Sequence, residues 1–303
     1  MTVTEGRARD STVRATLLVL LAASGFGSIS TLVLIARRGG APLVTVLAAR
    51  YLIAAVLLLV AAGGPRASPL PRPHALRALL IGGGGQAVVT GVSLAALAYV
   101  SAGTLGFLFY TYPAWITAIA AVRGHERLTV PRAIALALSL GGVAMMVGAP
   151  GTESLHPLGL ALALGSALAY ALYVPFVNEL QRGTTAAVTS VHICLGAGVI
   201  FTVIAFLGGP GAPLGLTGWA AIGVLALFCT AVAFLAFLRG LARLGPVRTS
   251  ILSTVEPFWT ALLGAAVLRQ RPSAGMWVGG AMIAAAVVLL QLKGDGRPAR
   301  VEG

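Results

Sequence analysis

Glu256 stands near the middle of an apolar run that extends over 247–268. Inside a bilayer a carboxylate at that depth costs about 2.5–3.5 kcal/mol unless it is paired, protonated or facing water, so it is expected to face a protein interior. Two kinds of chemistry suit such a group: exchange of a proton, or counter-charge for a substrate amine. A third reading is structural, with the carboxyl capping backbone groups that the next residue, Pro257, sets free. Pro113 occupies the same kind of place in the run 102–122. A proline inside a helix removes the hydrogen bond to the carbonyl four residues back, here those of Phe109 and Ser253. Half-broken apolar helices at matching places in two halves of a chain point to a transport site, whereas a plain kink only shapes packing.

Aromatic side chains suited to wall a ligand cavity are Phe26, Tyr110, Tyr112, Trp115, Tyr170, Tyr173 and Trp259. Gln86, Thr90 and Ser93 share one helical face by their spacing. Of these Gln86 is the site candidate, because single Ser and Thr residues usually serve interhelical packing. Arg50 lies too deep in its run to snorkel freely. It either meets a substrate directly or fixes helix packing through carbonyls or a carboxylate. His192 sits at similar depth, and a lone histidine there reads first as a packing residue and second as a proton relay.

Catalytic and metal chemistry find no such basis. His74, His125, His156 and His192 are scattered, and neither a G-x-S-x-G elbow nor a metal-ligand spacing is present. Thr129 holds the position where His125-Glu126 would need a second histidine to read as H-E-x-x-H. Gly82-Gly83-Gly84-Gly85 and the pair Gly196, Gly198 resemble phosphate loops only superficially, since no Lys-Ser/Thr follows them. They read as close-packing surfaces of apolar helices. Cys194 and Cys229 fall in apolar runs and read as small packing residues. No cofactor and no metal is expected.

The elements that must position these residues are apolar throughout. Of 303 residues 58% are hydrophobic and 10% charged, against about 45–50% and ~25% in a soluble domain. Disorder is excluded by the same numbers. Runs bounded by Gly, Pro and Arg fall at 15–36, 43–62, 75–99, 102–122, 132–149, 157–178, 186–207, 216–238, 247–268 and 274–292. The spacing predicts ten transmembrane helices, the first retained, because its apolar stretch exceeds the 7–15 residues or so of a signal-peptide core. The formal net charge of +13 lacks the clustered basic face that nucleic acid needs, and no nucleic-acid partner is expected. With the N-terminus inside, 16 of the 21 Lys and Arg fall in cytoplasmic segments and four outside. That asymmetry predicts both termini in the cytoplasm of an inner (plasma) membrane protein. Trp219 and Trp277, near outer helix ends, suit an aromatic belt.

Sliding the chain by 144 residues lays Leu97-Ala98 on Leu241-Ala242, Pro113 on Pro257, Trp115 on Trp259 and Arg127 on Arg271. The coupled Pro-x-Trp followed by Arg carries the match. Five helices in each half force the second half into the membrane upside down. The fold expected is therefore an all-α polytopic membrane protein of two inverted five-helix repeats, 1–150 and 151–303. Inverted repeats characterise secondary carriers, with the substrate site near the midplane at the repeat interface. A membrane-embedded enzyme acting on a lipid-linked substrate is the alternative.

The repeat, the Glu256-Pro257 step before an apolar helix, and the segment GHERLT at 124–129 resemble the drug/metabolite transporter superfamily, EamA-like branch. The resemblance runs from Ser24-Gly25-Phe26-Gly27 to the tenth run, and Arg50 looks like that family's usual arginine in the second helix. It implies an inner-membrane carrier, usually an exporter of amino acids, metabolites or toxic small molecules, with protons and membrane lipids as further partners. The chain departs from the family in two places. Gln270 stands where the second repeat usually has a glutamate, and Tyr112 stands where the first repeat could have matched Glu256.

Overall fold

The computed structural model describes residues 3–64, 72–100, 102–124, 129–147, 156–209, 214–268 and 273–292. His125, Glu126, Arg127, Gln270 and Arg271 lie outside the described residues. Among the described residues the chain folds into ten helical rods, and seven helical stretches are each long and apolar enough to cross a membrane. We number the rods α1 to α10. α1 comprises Val3–Gly27 and Ile29–Ala36, and α2 is Leu43–Ala61. α3 runs through Arg72–Arg77, a π-helical turn Ala78–Gly83 and Gly84–Ala96. α4 is split into Ala102–Phe109 and Tyr112–Val122, and α5 is Val130–Val147. α6 is Pro157–Leu180 and α7 is Ala186–Leu207. α8 comprises Leu216–Ala226, a second π-helical turn Leu227–Val232 and residues 233–244. α9 follows as 246–253 and Val255–Leu268, and α10 is Ala274–Leu292.

The expected spans differ from the observed helices mainly at two places. α1 starts well before its apolar stretch, because no Gly or Pro stops the helix between Arg7 and Thr16. α8 does not end near residue 238 but continues to 244, where Gly245 takes φ 76° and ψ 168°. That left-handed φ is open to glycine at no steric cost. Pro246 then starts the next helix without needing a backbone N–H, so α8 and α9 meet at one sharp corner instead of a loop.

The two halves interlock through equivalent contacts. α2 packs on α7 and α5 on α10, each helix against its own counterpart. α3 packs on α6 as α8 packs on α1, and α4 packs on α6 as α9 packs on α1. Even the π turns correspond: that of α3 lies on α7, and that of α8 lies on α2. Glycines permit the tightest crossings. A Cβ on Gly196 of α7 would run into the carbonyl oxygen of Leu79, and one on Gly83 would lie 2.5 Å from the Gly196 Cα. Gly142 and Gly279 stand in the same relation where α5 crosses α10.

Polarity is inverted relative to a soluble protein. Val60, Val122, Phe206 and Leu207 are exposed, whereas Ser139, Ser166, Thr189, Ser190 and Thr249 are fully buried. Lipid is as apolar as the core, so large aliphatic side chains have no reason to turn inward. Small hydroxyl residues fit the close helix crossings instead, and a carbonyl of the same helix can take the hydroxyl, as where Ser166 Oγ donates to the Ala163 carbonyl at 2.7 Å. Trp219 and Trp277 are exposed near helix ends.

Candidate functional site

Three helices are broken at one level of the bundle. α4 loses its regular winding at Tyr110 and Thr111, just before Pro113, and α9 at Thr254, just before Pro257. Each proline sits in the first turn of the second half-helix, where its missing N–H leaves no bond unmade. At each break a threonine hydroxyl turns back on its own helix: Thr111 Oγ1 donates to the Leu108 carbonyl at 2.6 Å, and Thr254 Oγ1 to the Ile251 carbonyl at 2.7 Å. The third break, at Ser28 of α1, has no proline. It is held by α9, whose Thr260 hydroxyl donates to the Gly27 carbonyl at 2.8 Å and whose Trp259 indole N–H donates to Ser28 Oγ at 2.9 Å. A Cβ on Gly27 would lie 2.7 Å from the backbone oxygen of Glu256. The α1 break is thus packed directly on the α9 break.

Glu256 falls in the first turn of the second half of α9. Backbone N–H groups and the positive end of the half-helix dipole favour a carboxylate there. Its carboxyl lies beside the Tyr110 hydroxyl, which comes from the break in α4, and the two interact. The hydroxyls of Tyr112 and Ser253, one from each broken helix, lie near each other in the same way, and Ser253 Oγ donates to the Thr249 carbonyl at 2.9 Å. Around this pair of links the rings form a continuous wall. Tyr112 meets Tyr170 edge to face at 4.8 Å, Phe109 meets Tyr170 at 5.5 Å, and Tyr170 meets Tyr173 at 6.3 Å. Such ring contacts fix the rings relative to one another.

A second aromatic group lies alongside. Tyr51 of α2 stacks on Phe201 at 5.8 Å and meets Phe234, which in turn meets Phe26 at 5.5 Å. Gln86 Nε2 donates to the Tyr51 hydroxyl at 3.1 Å. The Arg50 guanidinium lies 4.5 Å above the Tyr51 ring, and Arg50 is only 4% exposed.

Of the residues singled out from sequence, Glu256, Tyr110, Tyr112, Tyr170 and Tyr173 come together as one cluster. Phe26 and Gln86 join the neighbouring group through Phe234 and Tyr51. Trp259 serves the α1 break. Trp115 stands apart: it is 40% exposed, whereas Tyr112 and Ile116 of the same half-helix are buried. The repeat aligns Trp115 with Trp259, but only Trp259 has a broken helix to hold. His192 Nδ1 lies 2.8 Å from the Val188 carbonyl of its own helix, the arrangement of a locally satisfied packing residue. Sequence reasoning missed Tyr51, Phe109 and Ser253. Tyr51 carried no signal beyond an aromatic in an apolar run, and Phe109 was legible only as the carbonyl freed by Pro113. Ser253 was legible only as a carbonyl, the one freed by Pro257.

The cluster offers one carboxyl, several phenolic hydroxyls and several ring faces within a largely buried space. It suits a ligand with an apolar body and a hydrogen-bonding or cationic end, since ring faces attract cations as well as apolar surface.

The sequence profile of the EamA-like transporter family matches residues 13–148 and matches again over 157–292. The chain belongs to the EamA-like transporter family. The two matched segments of this EamA-like transporter begin 144 residues apart, the same offset at which the Pro-x-Trp motifs coincide. The chain is also 27% identical over 197 residues to an uncharacterized transporter from Archaeoglobus fulgidus, covering 65% of this chain and 69% of that protein. A solved crystal structure of a protein 20% identical to it superposes with a TM-score of 0.80, over 92% of this chain and 96% of the other, and shows the fold. Together these make the protein a multi-pass membrane transporter of small molecules.

Proposed function

We propose that the protein is a secondary carrier that exports small amphiphilic metabolites or drug-like compounds by alternating access around Glu256. The observation that carries this reading is the approach of the Tyr110 hydroxyl to the Glu256 carboxyl. It joins the break of one repeat (within 1–150) to the break of the other (within 151–303). A site built from both halves is remade whenever the halves rock against each other, and inverted repeats supply two such arrangements. The ligand class that fits is a neutral or cationic amphiphile, such as a hydrophobic amino acid or an organic cation. Export follows from the family resemblance, and Glu256 serves either as the coupling proton carrier or as the counter-charge of a substrate cation. Uptake of a metabolite panel into inside-out vesicles, with and without an acidic lumen, tests the proposal. Accumulation of at least one amphiphile, faster with the acidic lumen, is expected. Turnover of a lipid-linked substrate without any flux would favour the membrane-enzyme reading instead.

The carrier sits in the cytoplasmic membrane with both termini inside, on the distribution of 16 Lys and Arg against four. Gly39→Cys and Ser273→Cys are expected to react with an impermeant maleimide in intact cells, and Arg182→Cys is not. The native thiols give no background, since Cys194 and Cys229 are buried. The opposite labelling pattern would invert the topology.

A further inference from the structure

A cleft of about 360 Å³ opens between α3, α6 and the end of α4. Arg123 and Glu179 line it where those helices end on the arginine-rich face, and Ile81, Leu172 and Phe176 form its apolar walls. Ala169 and Tyr173 line its deeper part, with Ala169 ten residues before Glu179 on α6, so the cleft reaches about 15 Å along that helix. Tyr173 belongs to two places at once. One side of it borders the cleft, and its ring also touches Tyr170 of the Glu256 cluster at 6.3 Å. Two features of α3 hold it there. Its hydroxyl donates to the carbonyl of Gly82, 2.7 Å away, inside the π-helical turn Ala78–Gly83. One edge of its ring also lies against Gly85, where a Cβ would come within 2.7 Å of Tyr173 Cδ2. Single π turns in a helix often mark functional sites, and this one presents the carbonyl that receives Tyr173.

We propose that the cleft is the entry path by which an amphiphile reaches the Glu256 cluster from the arginine-rich face, and that Tyr173 is its gate. The proposal rests on the transport reading for its ligand class. Arg123 and Glu179 supply both signs of charge for a polar head at the mouth, and the apolar walls take the body. In the structure described here Tyr173 closes the path. Opening requires the hydroxyl to leave the Gly82 carbonyl and the ring to swing off Gly85.

The test is thiol accessibility, which needs no substrate. Cys194 and Cys229 are replaced by serine and Ser253→Cys is introduced beside Tyr112. An impermeant maleimide is then applied to each face of sealed vesicles, with Arg182→Cys identifying the arginine-rich side. Tyr173→Phe keeps the ring and removes the latch. Its reactivity from that side is expected to rise about fivefold, the population shift that accompanies loss of one neutral hydrogen bond. Tyr173→Ala is expected to exceed it. Gly85→Ala, which displaces the ring without altering Tyr173, is expected to raise reactivity on the same side. Unchanged reactivity in all three variants overturns the gate, as does a rise from both faces, which is what mere loosening of the bundle produces. If the one-sided rise is found but no panel compound moves in liposomes, the transport reading fails while the gated path stands.

Discussion

Glu256→Gln is expected to lower gradient-driven transport by about tenfold or more, since the amide can neither exchange a proton nor present a negative charge, and contacts to a charged group are worth about 1.5–3 kcal/mol. Gln preserves the size of the side chain, and it retains a carbonyl oxygen to accept from Tyr110, so the protein should still fold and insert. Counterflow exchange, which needs no net proton movement, then separates two mechanisms. If Glu256 carries the coupling proton, exchange survives in the Gln variant while gradient-driven flux is lost. If Glu256 only attracts a cationic substrate, both assays fall together and the apparent affinity weakens. The environment supports either role. The bilayer interior penalises the charge, while the half-helix N-terminus and the Tyr110 hydroxyl stabilise it. Rates near wild type in both assays would remove Glu256 from the site and leave it a capping group beside Pro257.

Gly196→Val is expected to cost about 3 kcal/mol or more of stability, at the upper end of overpacking penalties, read as a fall in melting temperature in detergent and in membrane yield. The reason lies in what surrounds the added carbon. At Gly196 its neighbours are the Leu79 carbonyl oxygen and the Gly83 Cα, both backbone atoms of α3. Backbone cannot rotate out of the way, so α3 and α7 must separate. The π turn of α3 lies on α7, and it carries the Gly82 carbonyl that receives Tyr173. Separation therefore disturbs the Tyr173 contact as well as the fold. Gly84→Ala, at a position where a Cβ would meet nothing within 4 Å, is the matched control and should be close to neutral. A Gly196→Val protein as stable as wild type would mean that α3 and α7 do not approach so closely.

Composition, run length and self-similarity are properties that a chain displays without folding. They determined that this protein is an α-helical membrane protein with ten helices in two inverted repeats. They also marked Pro113 and Pro257 as places where α4 and α9 lose regularity, because proline removes a backbone hydrogen bond, although Pro175 inside the continuous α6 shows that the lost bond alone does not break a helix. They marked Glu256 as interior, because the cost of a carboxylate in lipid is independent of its neighbours. Which aromatics meet each other was beyond such reasoning. In a water-soluble helix the polar face shows which way the apolar face points. Here lipid and core are equally apolar, so Trp115 on the outside and Tyr112 on the inside read alike. Only the tertiary structure turned them apart. It also placed the break of α1 at Ser28, where no proline announces it, because the hydrogen bonds that satisfy it come from Trp259 and Thr260, more than 200 residues away in the chain. The same holds for the π turns, which lie against helices of the opposite repeat, and for Tyr173, which is held by the Gly82 carbonyl 91 residues earlier. Each of these depends on which surfaces meet when the second half enters the membrane inverted, and that is settled by packing between the halves.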